Sequence, residues 1–153
     1  MKHIALLTCV CGLMLLGSCK NQSAQNEQPL EVMTFNVRLD APSDSANNWK
    51  YRKDNVCQMI TYYQPDLLGM QEVRHNQMED LKQGLPQYTA LGVGRDDGKE
   101  AGEYCPIFFN SHRFTLVEYG NFSLSEQPET IGIKGWGRLL QPYYYMGHTA
   151  RKE

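Results

Sequence analysis

Hydrophobic and polar positions along this chain switch between a period of two and a period of about 3.6, and the switches lay out its elements. Residues 31–38, EVMTFNVR, have strand character from Val32, Thr34 and Phe35 and end in the polar Asn36 and cationic Arg38. Residues 40–48 are rich in turn formers, with Pro42, two serines and two asparagines. Asn47 or Asn48 is placed to cap a helix over 49–63, with Val56, Met59, Ile60 and Tyr63 on one face. Pro65 stops that helix. Leu67, Leu68 and Met70 then form an apolar run of strand length, and Glu72 follows it directly. A second helix is predicted over 75–85 with Met78, Leu81 and Leu85 inward, punctuated by Gly84 and Pro86. A strand over 88–93 and a loop over 92–104, rich in Gly and charge, come next. Residues 106–109 and 114–122 read as the two strands of a hairpin turning at 110–113. Phe114, Leu116 and Phe122 share the inward parity, but so does Glu118, and the alternation is imperfect there. No internal repeat is visible. The pattern predicts a mixed α/β unit with helices on a sheet.

The first residues belong to a different kind of segment. Residues 4–16 are an apolar run of signal-peptide length, too short to span a bilayer comfortably. The run ends in Leu16-Gly17-Ser18-Cys19, which resembles a bacterial lipobox. This predicts a lipoprotein signal peptide over 1–18, lipidation of Cys19, a flexible polar tether over 19–29, and an exported chain held to a cell-envelope membrane by its lipid. A plain signal peptide or a short buried helix is the alternative. Of the five cysteines, Cys57 and Cys105 remain in the folded part, where a disulfide and two free thiols are both open. No Cys/His spacing of a zinc site occurs. The net charge of −2 offers no basic field to attract nucleic acid, without excluding it as a substrate.

Asn36 and Glu72 each stand at the end of a predicted strand, with one helical segment between them. That order is able to bring both to one edge of a sheet. A carboxylate at the tip of a buried strand is suited to holding a hard cation on a rigid base. The competing roles are a solvated glutamate and an asparagine closing an Asx turn.

The strings MTFNVR, NNWKYRKDNV, QPDLLGMQEV and CPIFF, in this order, resemble the endonuclease/exonuclease/phosphatase superfamily over residues 30–136. The resemblance implies the N-terminal half of a two-sheet α/β sandwich, truncated, and a divalent-metal phosphoesterase chemistry using Mg²⁺ or Mn²⁺. Glu72 matches the family's metal ligand and Asn36 the asparagine beside metal and phosphate. Arg38, Arg95 and Tyr104 are further candidates for contacting the phosphoester substrate. That substrate is a phosphodiester or phosphomonoester drawn from nucleic acid, phospholipid head groups or sugar phosphates. No role is assigned to His75, His112 or His148.

After Trp136 the likeness stops, and residues 137–153 read as an out-of-frame tail. Read one base later, the codons of Met146-Gly147 necessarily give tryptophan, and those of Tyr143 to Met146 give only Ile or Thr, which restores a family-like Arg and Trp-Ala spacing. The family's remaining ligands and its catalytic histidine come from the second half of the sandwich. The chain as written is therefore expected to be an inactive fragment, with Phe108, Phe114, Leu116 and Phe122 losing cover. The alternative is a non-enzymatic surface lipoprotein or binding half-domain.

Overall fold

The computed structural model describes residues 28–123, 125–133 and 143–151. The predicted signal peptide, Cys19 and most of the predicted tether lie outside the described residues, as do parts of 137–153.

The first strand, β1, is Val32–Asn36. A 3-10 segment over Pro42–Asn47 leads into α1, Trp49–Tyr63. Asn48 caps α1 by accepting from the Lys50 amide, and Gln64 ends the helix in the left-handed region with φ of 48°. Strand β2 is Leu67–Gln71, α2 is His75–Gly84, β3 is Tyr88–Leu91 and β4 is Ile107–Asn110. Together the four strands form one mixed sheet in the order β1-β2-β4-β3. β1 and β2 are parallel, with Asn36 opposite Gln71. β4 runs antiparallel to both of its neighbours.

One face of this sheet carries the core. Leu68, Met70 and Phe108 join Val56 and Ile60 of α1, Met78 and Leu81 of α2, and Trp49 at the start of α1, with Met33, Phe35 and Ala90 packed against them. The predicted inward faces of both helices are the buried ones, with one exception. Tyr63 was expected on the inward face and is exposed. It is the last residue of α1, where the chain turns away from the sheet through Gln64 and Pro65.

The predicted hairpin of 106–109 with 114–122 does not form. β4 already has β2 on one side and β3 on the other, so it has no free edge. Its burial suits that central place, since both Phe108 and Phe109 are buried. Strand β5, Phe114–Ser123, pairs instead with β6, Tyr143–Arg151, as a separate two-stranded sheet. The irregular alternation at Glu118 is explained there, because the register shifts between Leu116 and Glu118. Leu116, of inward parity but expected to lose cover, is 36% exposed. Phe108 and Phe114, expected to lose cover, are both buried: Phe108 sits opposite Leu68 and Ala90 on the covered face.

Cys57 and Cys105 are free thiols. Burial pushes both thiols up in pKa, with nearby carboxylates adding to the effect. The thiolate is the reactive form. Both are therefore expected to react more slowly with a disulfide reagent at mild pH in the native chain than in urea. Equal native and denatured rates would contradict this.

Candidate active site

Asn36 and Glu72 stand at the carboxyl ends of two hydrogen-bonded parallel strands, where open α/β sheets place their ligands. The Asn36 side chain donates from Nδ2 to Glu72 Oε1 at 2.8 Å. Asn36 Oδ1 accepts from the Arg38 amide at 2.8 Å, and Glu72 Oε2 from the Leu39 amide at 3.3 Å. The amide and the carboxylate are thus locked together and to the turn after β1.

Backbone geometry marks the same spot. Arg38 and Glu72 both have φ of 60°, a region unusual for residues with a side chain. Such conformations persist where neighbours over-determine them. Gln71 is in the ladder before Glu72, its carbonyl accepting from the amide of Val37, the residue just past β1, at 3.1 Å. Val73, fully buried, exchanges both backbone hydrogen bonds with Tyr104, at 3.2 and 2.6 Å. Glu72 is held between two fixed points.

The loop after β1 is clamped from below. Arg52 of α1 donates to the carbonyls of Val37, Arg38 and Asn47 at 2.8, 3.2 and 2.6 Å. Gln77 of α2, with no exposed surface, accepts from the amides of Asp40 and Arg74 and donates to the Arg38 carbonyl, each at 3.0 Å. Neither residue was singled out by motif. The signal for Gln77 was present: it falls on the inward arc of α2 beside Met78 and Leu81, where an amide needs partners. Gln77→Leu is expected to cost about 1–3 kcal/mol for each group left buried and unpaired. Residues 38–40 should loosen first. Amide exchange at Asp40 checks this, and unchanged protection there would count against the clamp.

The other candidates separate. The Arg38 guanidinium lies beside Asp44, donating from Nε and NH2 at 2.8 and 2.7 Å. That pairing raises the Arg38 pKa, with a smaller contribution from the charge of Glu72, and lowers that of Asp44. Arg38 is thus an exposed cation within the field of Glu72, held by a carboxylate whose own side chain is only 8% exposed. Arg95 is engaged inside its loop, with NH1 on Glu103 at 3.0 Å and Nε 3.5 Å from Asp96. Tyr104 belongs to the core, its hydroxyl donating to the Lys99 carbonyl at 3.1 Å and lying 3.0 Å from His75 Nδ1. Burial, then Glu100 and Asp97, push that phenol up. Beside the 3-10 segment, Pro42, Ser45, Asn48, Lys50 and Tyr51 line a cleft of about 630 Å³.

The family model for the Endonuclease/Exonuclease/phosphatase family matches residues 33–146, three quarters of the chain and both strand ends of the site. The chain belongs to this family. The match runs past residue 136 into the segment that the sequence pattern set apart as a tail. Among solved structures, the family protein from Bacteroides vulgatus is 45% identical with a TM-score of 0.78, over 80% of this chain and 47% of that one. The Bacteroides thetaiotaomicron mannosyl-6-phosphatase is 40% identical with a TM-score of 0.76, over 80% and 46%. Human nocturnin is 29% identical over 118 residues, 63% of this chain and 27% of its own length. The chain therefore spans less than half the length of the family members it resembles.

As for the metal that this family fold implies, Glu72 and Asn36 are oxygen donors, the right chemistry for Mg²⁺ or Mn²⁺. They fit one side of such a shell. Among the described residues no group of three or more His, Cys, Asp or Glu is clustered to hold an ion.

Proposed function

We propose that this chain carries the first part of a divalent-metal phosphoesterase site. The observation that supports the reading is the Asn36–Glu72 hydrogen bond of 2.8 Å at the carboxyl ends of paired parallel strands. Glu72 would hold Mg²⁺ or Mn²⁺, and Asn36 would hold the Glu72 carboxylate in place. Bound there, the metal would supply the positive charge that a phosphoryl oxygen needs during hydrolysis. Arg38, presented by Asp44, adds a second positive group for the phosphate. The 40% identity to a mannosyl-6-phosphatase favours a phosphomonoester over a nucleic-acid substrate, in keeping with the net charge of −2.

With no group of three or more His, Cys, Asp or Glu clustered among the described residues, hydrolysis requires donors beyond them. The 153-residue chain alone is accordingly expected to bind Mn²⁺ near Glu72 without turning over phosphoesters. Paramagnetic broadening of amides around Asn36 and Glu72, lost in Glu72→Ala, would support the metal assignment. Turnover of a generic phosphodiester or phosphomonoester with Mg²⁺ or Mn²⁺, abolished by Glu72→Ala, would overturn the claim that the site is incomplete. Unchanged broadening in Glu72→Ala would overturn the metal assignment itself.

A further inference from the structure

Helix α1 joins the two ends of the sheet. Its N-cap, Asn48, donates to Asp40 at 3.1 Å, beside the Asn36–Glu72 site. Its last residues lead through Pro65 to Asp66, which meets the residue before β1: the Asp66 amide donates to the Glu31 carbonyl at 2.8 Å, and the Glu31 amide to Asp66 Oδ2 at 3.0 Å. The end of the domain opposite the site is therefore built from residues 30–32, the last turn of α1, and Asp66 with its partner Arg113.

That end is where exposed apolar surface gathers. Leu30, Val32, Tyr62 and Tyr63 are 55%, 67%, 81% and 58% exposed, four of the seven large hydrophobic residues that are exposed among the described residues. The Tyr62 and Tyr63 rings pack edge to face at 5.1 Å. Tyrosine, with an apolar ring and a polar tip, is suited to a membrane–water boundary. The buried Asp66 carboxylate nearby is neutralised by Arg113, and the one charge exposed within residues 30–32 is Glu31, between Leu30 and Val32. The chain also enters the domain at this end. Leu30 lies eleven residues after Cys19, a reach of at most about 40 Å even fully extended.

We propose that this end is a foot seated on the lipid bilayer in which Cys19 is anchored. The Asn36–Glu72 end then faces away from the membrane. The proposal rests on the lipid-anchor reading of Cys19. Its occupant is the bilayer surface itself, because the patch and the point where the tether joins coincide. A 15-residue helix spans roughly 22 Å, so the site stands about a helix length above the lipid. It therefore takes a water-soluble phosphoester and not a head group of the bilayer that carries it.

The test uses the full lipidated chain in vesicles of phosphatidylethanolamine and phosphatidylglycerol with doxyl-labelled lipid. Tyr62→Trp and Tyr63→Trp report the foot. Tyr51→Trp, on an exposed residue of the first turns of α1, reports the opposite end. Emission above that of the parent chain should shift to the blue and lose intensity to the doxyl lipid for the first two variants and stay unquenched for the third. A vesicle-bound, lipidated chain in which all three are quenched alike, or none is, overturns the foot while leaving the anchor intact. A blue shift at Tyr62→Trp that ignores doxyl lipid and grows with protein concentration assigns the patch to a second copy and also overturns it. A Cys19 without lipid by mass spectrometry overturns the anchor reading, and the proposal falls with it.

Discussion

Trp49→Ala is expected to cost the domain about 3–5 kcal/mol, against a total stability of about 5–15 kcal/mol for an ordinary domain. Trp49 is 1% exposed at the start of α1 and belongs to the same core cluster as Val37 and Met78. Its Nε1 donates to Asp80 Oδ2 at 2.8 Å, and the same carboxylate accepts from Lys53 Nζ at 2.8 Å. Burial pushes the Asp80 pKa up, but the hydrogen bonds from Lys53 and Trp49 outweigh it and hold the carboxyl below its ordinary value. Removing the indole therefore leaves both a cavity between α1 and α2 and a carboxylate with one donor fewer. Urea unfolding followed by helical circular dichroism should show the midpoint falling sharply at similar slope. A loss below about 1 kcal/mol would mean that the cavity collapses and that Trp49 does not tie the helices together.

The second large effect lies at the other end of the sheet. Asp66 is 1% exposed and bound by Arg113, which is 25% exposed in its side chain. Arg113→Ala strips the counter-charge from a buried carboxylate, a change expected to cost about 3–5 kcal/mol. The Glu31 amide, at 3.0 Å, would still donate to that carboxylate. Asp66→Asn in the same background removes the charge and should recover part of the loss. If the double substitution is no more stable than Arg113→Ala alone, the cost comes from lost packing of Arg113 over Phe114, where its guanidinium sits 5.6 Å from the ring, and not from the charge.

The positions of Asn36 and Glu72 were legible because one closes and the other directly follows a strand of recognisable pattern, and because a parallel pair aligns its carboxyl ends. Their hydrogen bond follows from that alignment. The residues that hold them were not legible. Arg52 acts through three carbonyls, which carry no side-chain signature. Asp44 reaches back six residues to Arg38 only because the 3-10 segment folds over the strand end. Arg95 and Tyr104 border a polar loop, and what their sequence could not show is how each is held, Arg95 by Glu103 within the loop and Tyr104 in the core cluster.

By itself the sequence determined the identity of the local elements: the helix opened by Asn47 or Asn48, of which the structure takes Asn48, the inward stripe of Met78, Leu81 and Leu85, and the buried strand that ends before Glu72. Those follow from periodicity and capping, which act between residues a few positions apart. Tertiary structure alone decided which strands pair. β4 and β5 are adjacent in the chain and apolar enough for a hairpin, yet β4 is taken on both edges by β2 and β3, and β5 pairs with β6. A strand's hydrogen-bonding edges look the same from its own sequence whichever partner fills them, so the choice belongs to the whole sheet.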